Sequence, residues 1–218
     1  MASGKPEPYR LGFLTAIDLP DRGFVGGLLV TNHFGRPLEF QCTLPVRPNS
    51  TQVTLYGPTL EPFLLGELIG STLLEKSGIK PQLVLVDREP ILAVREHCET
   101  PVVYVPPGKR KKKASTEPTE GDAIAQASSS EVASALHGGA FGTAGVGDDT
   151  AAGDVADAVS SGTLKLGRQI VRFHSAHPGD RDRVATDAQQ IAGEVDLHEP
   201  FDRVREALQE TLKAAGGR

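Results

Sequence analysis

A chain of 218 residues, 39% of them hydrophobic and 23% charged, is long enough for one or two domains with a buried core. Its formal charge of −5 and pI near 5.7 argue against nucleic acid as the default partner. No stretch approaches the ~20 apolar residues a membrane-spanning helix needs, and the N-terminus lacks an apolar signal core, so a cytoplasmic protein with no membrane partner is expected.

Residues 1–8 read as a flexible tail, and residues 9–17 as a first strand ending in a turn around Pro20. Two apolar runs, residues 23–31 and 37–44, flank the turn-prone Asn32, His33, Phe34, Gly35 and Arg36, which is a hairpin pattern. In the second run Leu38, Phe40, Cys42 and Leu44 alternate with Glu39, Gln41 and Thr43. That period predicts an apolar face on the core and a polar face on water or on a pocket.

Pro45 and Pro48 stop the strand, and from about residue 49 to 77 the period becomes helical. Leu60, Leu64 and Leu68 form one stripe, widened by Phe63, Ile69, Leu73 and Leu74, so a long helix packed on more than one side is expected. Pro58 opens or kinks it, Ser77 and Gly78 stop it, and Gly66 and Gly70 fit close packing against the sheet. Residues 81–86 read as a buried strand, 87–90 as a turn, 91–95 as a strand pairing back, and 101–105 as a last strand. Cys42 and Cys98, both in apolar strand contexts, read as buried thiols of a reducing compartment.

Residues 107–161 change composition. They open on Lys109, Arg110, Lys111, Lys112 and Lys113, and no further Lys or Arg occurs until Lys165. Between 106 and 160 only seven positions are Ile, Leu, Val or Phe, too few to offset the entropy of ordering, which reads as a disordered low-complexity linker. In residues 162–218 one strand, 166–173, is followed by two amphipathic helices. Val184, Ala188, Ile191 and Val195 mark the first, with Asp180 as its cap; Phe201, Val204, Leu208 and Leu212 mark the second. So short a segment makes a poor core alone, so it is expected to dock on residues 9–106. The expected fold class is α+β, an antiparallel sheet of about five to six strands with a long helix and two C-terminal helices packed on it, interrupted by a disordered insertion.

Candidate chemistry is sparse. Glu39, Gln41 and Thr43 share a strand face, and Arg47, Gln52 and Tyr56 follow near its end, a corner that could bind a ligand. His174, His177, Asp180 and Asp182 are metal-ligand types, but without a second pair at a known spacing no metal is assigned. His97 and Cys98 are neighbours on an expected strand and so point to opposite faces. No phosphate-binding loop, nucleophile elbow or zinc-protease motif occurs, and no cofactor is expected.

The order strand, hairpin, helix, strands is similar to that of profilin-like modules such as longin and roadblock domains. That resemblance implies partner or dimer contacts through an edge strand or the long helix. The leading expectation is therefore a non-enzymatic interaction or regulatory module, with a protein partner or self-association and nucleic acid not expected. The alternatives are a small hydrolase-type enzyme using Glu39, Arg47 and Tyr56, and a nucleic-acid-associated protein gripping phosphate through Lys109 to Lys113.

Overall fold

A computed structural model of the chain describes residues 9–20, 22–107, 162–191 and 196–216. The expected tail at 1–8, nearly all of the low-complexity stretch, including Lys109 to Lys113, and Val195 lie outside the described residues. Seven strands form one sheet: β1 (Arg10–Leu19), β2 (Gly23–Asn32), β3 (Pro37–Cys42), β4 (Leu83–Val86), β5 (Val102–Tyr104), β6 (Thr163–Leu166) and β7 (Gln169–Phe173). Their order is β3-β2-β1-β4-β5-β7-β6.

The β1–β2–β3 meander is antiparallel, as its alternation and turn residues require. In the centre the pairing changes. β4 lies parallel to both β1 and β5, with Leu14 opposite Val86 and Val86 opposite Tyr104. This corrects the wholly antiparallel expectation, and the physical reason lies in the connections. Parallel neighbours need a crossover rather than a tight turn. Residues expected as a strand pairing back, 91–95, instead belong to a 3-10 helical segment, Glu89–His97, which carries the chain from the end of β4 to the start of β5. All four residues of β4 are fully buried, as suits a parallel strand covered on both faces. Leu166 to Phe173 is two strands rather than one, turned at Gly167 with φ 58.

The long helix is likewise broken into pieces. α1 (Ser50–Tyr56) opens on a capping box between Asn49 and Gln52; a nine-residue π-helix, Pro62–Gly70, follows, and α2 (Ser71–Lys76) continues it. Gly66 and Gly70 meet the 3-10 segment rather than the sheet. A Cβ on Gly66 would stand 2.9 Å from Ala93 Cβ and from Val94 N, and one on Gly70 2.9 Å from Val94 Cγ2. The close approach to the sheet is made from the other side, at Gly26, under Ile69.

After β7 come α3 (Asp180–Asp187) and α4 (Glu199–Gly216). Asp180 is the first residue of α3 rather than its cap, because its carboxylate is taken by Arg95. The expected stripe of α4 is met: Phe201, Val204 and Leu208 are buried, with Leu212 partly so. Phe201 meets Phe13 edge-on at 5.4 Å between ring centroids.

Both faces of the sheet are therefore covered. Leu11, Phe13, Leu29, Leu83, Leu85, Val103 and Phe173 pack under α3 and α4. Leu14, Leu28, Val30, Val84, Val86 and Val102 pack under the π-helix, α2 and the 3-10 segment. The expectation of one apolar and one wet face is corrected by α4, which closes the second side.

At β3 the expected faces are exchanged. Glu39 and Gln41 turn toward α2, while Leu38 and Phe40 are 42% and 37% exposed and Leu44 is exposed too. β3 is the edge strand, and α4 packs chiefly over β1 and β2, so the apolar side of β3 runs out from under its cover. Cys42 is exposed and Cys98 half-buried, which corrects the expectation of two buried thiols.

Candidate functional site

The corner expected from sequence is built into the scaffold. The Glu39 carboxylate accepts hydrogen bonds from the Ser77 hydroxyl (3.1 Å), the Gly78 and Ile79 amides (2.9 and 2.7 Å) and the Gln41 side chain (2.8 Å). Those donors, the Gln41 amide foremost, hold its pKa down at about 2. Glu39 thus ties β3 to the loop that follows α2. Thr43 Oγ1 accepts from the Gly26 amide at 3.0 Å, Gln52 completes the cap of α1, and Tyr56 stacks on Phe63 at 4.3 Å. Glu39 and Gln41 are brought together; Thr43 faces β2, and Gln52 and Tyr56 serve the helix. Arg47 stands exposed after the Phe24–Val46 bridge.

The histidine cluster is also occupied. His174 is buried, its Nδ1 accepts from the Ala176 amide, and its Nε2 lies 3.3 Å from Glu96 Oε1. Burial lowers its pKa. His177 lies 5.6 Å away between ring centroids, and Asp180 receives two guanidinium nitrogens of Arg95. Among the described residues no group of three or more His, Cys, Asp or Glu side chains is placed to hold a metal ion. The Cys98 thiol donates to the Thr100 carbonyl, and burial pushes its pKa up, which disfavours a thiolate.

A different cluster sits at the carboxyl ends of the parallel strands, where ligands of open α/β sheets bind. Asp87 follows the wholly apolar β4, and its side chain is only 5% exposed. Its Oδ2 pairs with Arg205 of α4, whose other nitrogen lies 2.8 Å from Asp202. Its Oδ1 is buried with no hydrogen-bond partner, and so is Oγ1 of Thr15, the next residue along β1 after the Leu14–Val86 pair. Burial raises the pKa of Asp87, against the opposing effects of the Thr15 hydroxyl and the Arg205 charge.

Two more guanidiniums stand at the same strand ends but on the other face of the sheet, the side of the π-helix and the 3-10 segment. Arg88 reaches the Ala16 carbonyl and Glu61, each at 3.5 Å, and lies 5.7 Å from the Phe24 ring. Arg172 of β7 pairs with Glu89 at 3.3 Å and lies 5.9 Å from the ring of Tyr104, whose pKa burial raises. One end of the sheet thus carries the buried Asp87 carboxyl with Arg205 on the α4 face, and Arg88 and Arg172 on the opposite face, each guanidinium steadied by a carboxylate. The edge can hold an anion and move a proton beside it.

From sequence residues 87–90 read as a turn, which leaves this edge out of sight. The signal was present in a carboxylate placed directly after four apolar strand residues. It becomes legible only once β1, β4 and β5 are known to run parallel.

No protein-family model and no curated protein matches the chain. Three similar solved structures are all Endonuclease V. The catalytic domain of human Endonuclease V is 12% identical, with 95% of this chain and 85% of that chain covered and a TM-score of 0.40. Human ENDOV is 20% identical at a TM-score of 0.30, and the Ciona intestinalis Endonuclease V in complex with a 23mer DNA containing an inosine is 16% identical at 0.30. In both of the latter the match covers 46% of each chain. At these scores the likeness carries neither an activity nor a substrate over to this chain. The expectations of a non-enzymatic interaction or regulatory module, and of a protein for which nucleic acid is no partner, are corrected to this extent: the solved structures found similar are of Endonuclease V, one of them in complex with DNA.

Proposed function

We propose that the chain is a hydrolase-type enzyme acting on a phosphate-bearing substrate at the strand-end edge, with Asp87 as its proton-carrying group. The observation that carries this reading is the Asp87 carboxyl itself, 5% exposed, raised in pKa, paired with Arg205 and next in the chain to Arg88. Guanidiniums suit the planar, multiply charged oxygens of a phosphodiester or phosphomonoester better than a neutral substrate. A carboxyl with a raised pKa retains its proton closer to neutral pH, as a general acid must. Arg205 would anchor the substrate's oxygens next to that proton, and Arg88, next in the chain, would add positive charge at the same strand end. Glu39, Gln41, Thr43, Gln52 and Tyr56 enter this reading as supports for the fold. Lys109 to Lys113 would add salt-sensitive backbone contacts if the substrate is a nucleic acid. A reducing, cytoplasmic setting is proposed with it, consistent with two free thiols.

Single- and double-stranded DNA and RNA oligonucleotides are the substrates to assay first, with and without Mg²⁺ or Mn²⁺. Strand cleavage is expected, and Asp87→Asn should lower it by about 10²-fold or more while circular dichroism stays unchanged. Absence of cleavage and of binding at ~50 mM salt, where phosphate contacts are strongest, would overturn the proposal. Cleavage lost in Glu39→Gln but kept in Asp87→Asn would move the site to the β3 corner.

A further inference from the structure

Across the strands from Asp87 stands Thr15. Thr15 is fully buried in a strand whose neighbours, Phe13, Leu14 and Ala16, are apolar. A lone hydroxyl in such a place destabilises unless it has a partner. Its position is set by two registers. Opposite it on β2 is Gly27, which offers no side chain, and beyond Gly27 stand Val204 and Leu208 of α4. On its other flank β4 runs parallel, so the step after Leu14–Val86 places Thr15 beside Asp87. Thr15 Oγ1 and Asp87 Oδ1 are both buried and make no hydrogen bond of normal geometry, yet the Thr15 hydroxyl is close enough to act on the Asp87 carboxyl. These are two unfilled polar atoms on adjacent strands, facing the same side of the sheet.

We infer that Thr15 is the positioning residue for Asp87, its rotating hydroxyl serving the Oδ1 oxygen in both protonation states. A hydroxyl is both donor and acceptor. It donates to the carboxylate when Asp87 is ionised and accepts from the carboxylic acid when Asp87 is protonated, so the proton can come and go without leaving a buried oxygen bare. Arg205 of α4, itself paired to Asp202, Arg88 next in the chain and Tyr104 of β5 are the charged and titratable groups that also act on Asp87. Of the partners facing Asp87, Thr15 alone is fully buried and uncharged. The inference rests on the reading of Asp87 as the acid–base group, yet it is tested separately.

The test is the titration of the Asp87 carboxyl carbon by ¹³C NMR in the full chain, assigned by its absence in Asp87→Asn. Thr15→Val keeps the shape and removes the hydroxyl, so the midpoint should rise by about one pH unit. Thr15→Ser should restore most of that shift, and Thr15→Ala, which cannot clash, should repeat the valine result if valine disturbs folding. Where turnover is found, the pH profile of kcat should move in the same direction. An unmoved Asp87 midpoint in a folded Thr15→Val or Thr15→Ala variant would overturn the inference, as would a serine variant that titrates like valine. A shifted midpoint in a protein without turnover would instead sink the hydrolase reading and leave the Thr15 assignment standing.

Discussion

Two carboxyls in this protein show how burial and donors pull a titration in opposite directions. Glu39 is near the surface and wrapped by donors, so its pKa falls from 4.5 to about 2. Asp87 is buried with one oxygen unpartnered, so its pKa rises. Linkage turns each into a stability statement of opposite sign. A depressed carboxyl contributes stability above its unfolded pKa and loses it as pH falls through the folded value. Thermal melts should therefore find Glu39→Gln less stable than the parent at neutral pH, with the gap closing as pH drops from about 4.5 toward 2; solvent screening keeps it modest. A raised carboxyl does the reverse, favouring the fold while protonated and costing stability as pH climbs through its folded pKa. Asp87→Asn should lack that loss, so its melting temperature should gain on the parent's as pH rises above the usual aspartate range. Parallel pH profiles for parent and variants would contradict both assignments.

At the scale of elements, what was legible depended on whether a pattern carries its own partner. The stripe Phe201, Val204, Leu208 needs only a 3.6-residue period, and α4 forms as expected with those residues buried. The alternation at β3 identifies a strand as surely, yet a period of two does not say which side is roofed; Glu39 turned inward because its donors at Ser77, Gly78 and Ile79 lie there. Ile91, Leu92 and Val94 are apolar enough for a strand, but they cross over between parallel neighbours, and that pairing depends on residues far away in the chain. Gly66 shows how tight the resulting contact is. Both a side-chain and a backbone atom of the 3-10 segment stand 2.9 Å from where its Cβ would be. Gly66→Ala should therefore destabilise by about 1–3 kcal/mol, because the backbone at Val94 cannot swing away as a flexible side chain would. A denaturation midpoint unchanged in this variant would show that the two segments are less closely joined.

Across the whole molecule the sheet draws on both described halves of the chain. β7 pairs with β5, and α4 roofs β1 and β2. The same halves build the candidate site: Asp87 and Arg88 come from the first, Arg172 and Arg205 from the second. A chain ending at Val105 should consequently leave Phe13, Leu29, Leu85 and Val103 facing water, and it should be far less soluble and melt lower than the full chain. Equal stability of the two would mean that the tail elements add nothing.

That interleaving also sets a timetable. A ribosome that has just made Tyr104 must add more than a hundred further residues before α4 is available, which at ordinary elongation rates takes roughly 5–20 s. For that interval β4 and β5 lack their covering helix and the β7 partner of their edge, so aggregation during synthesis is the hazard this topology carries.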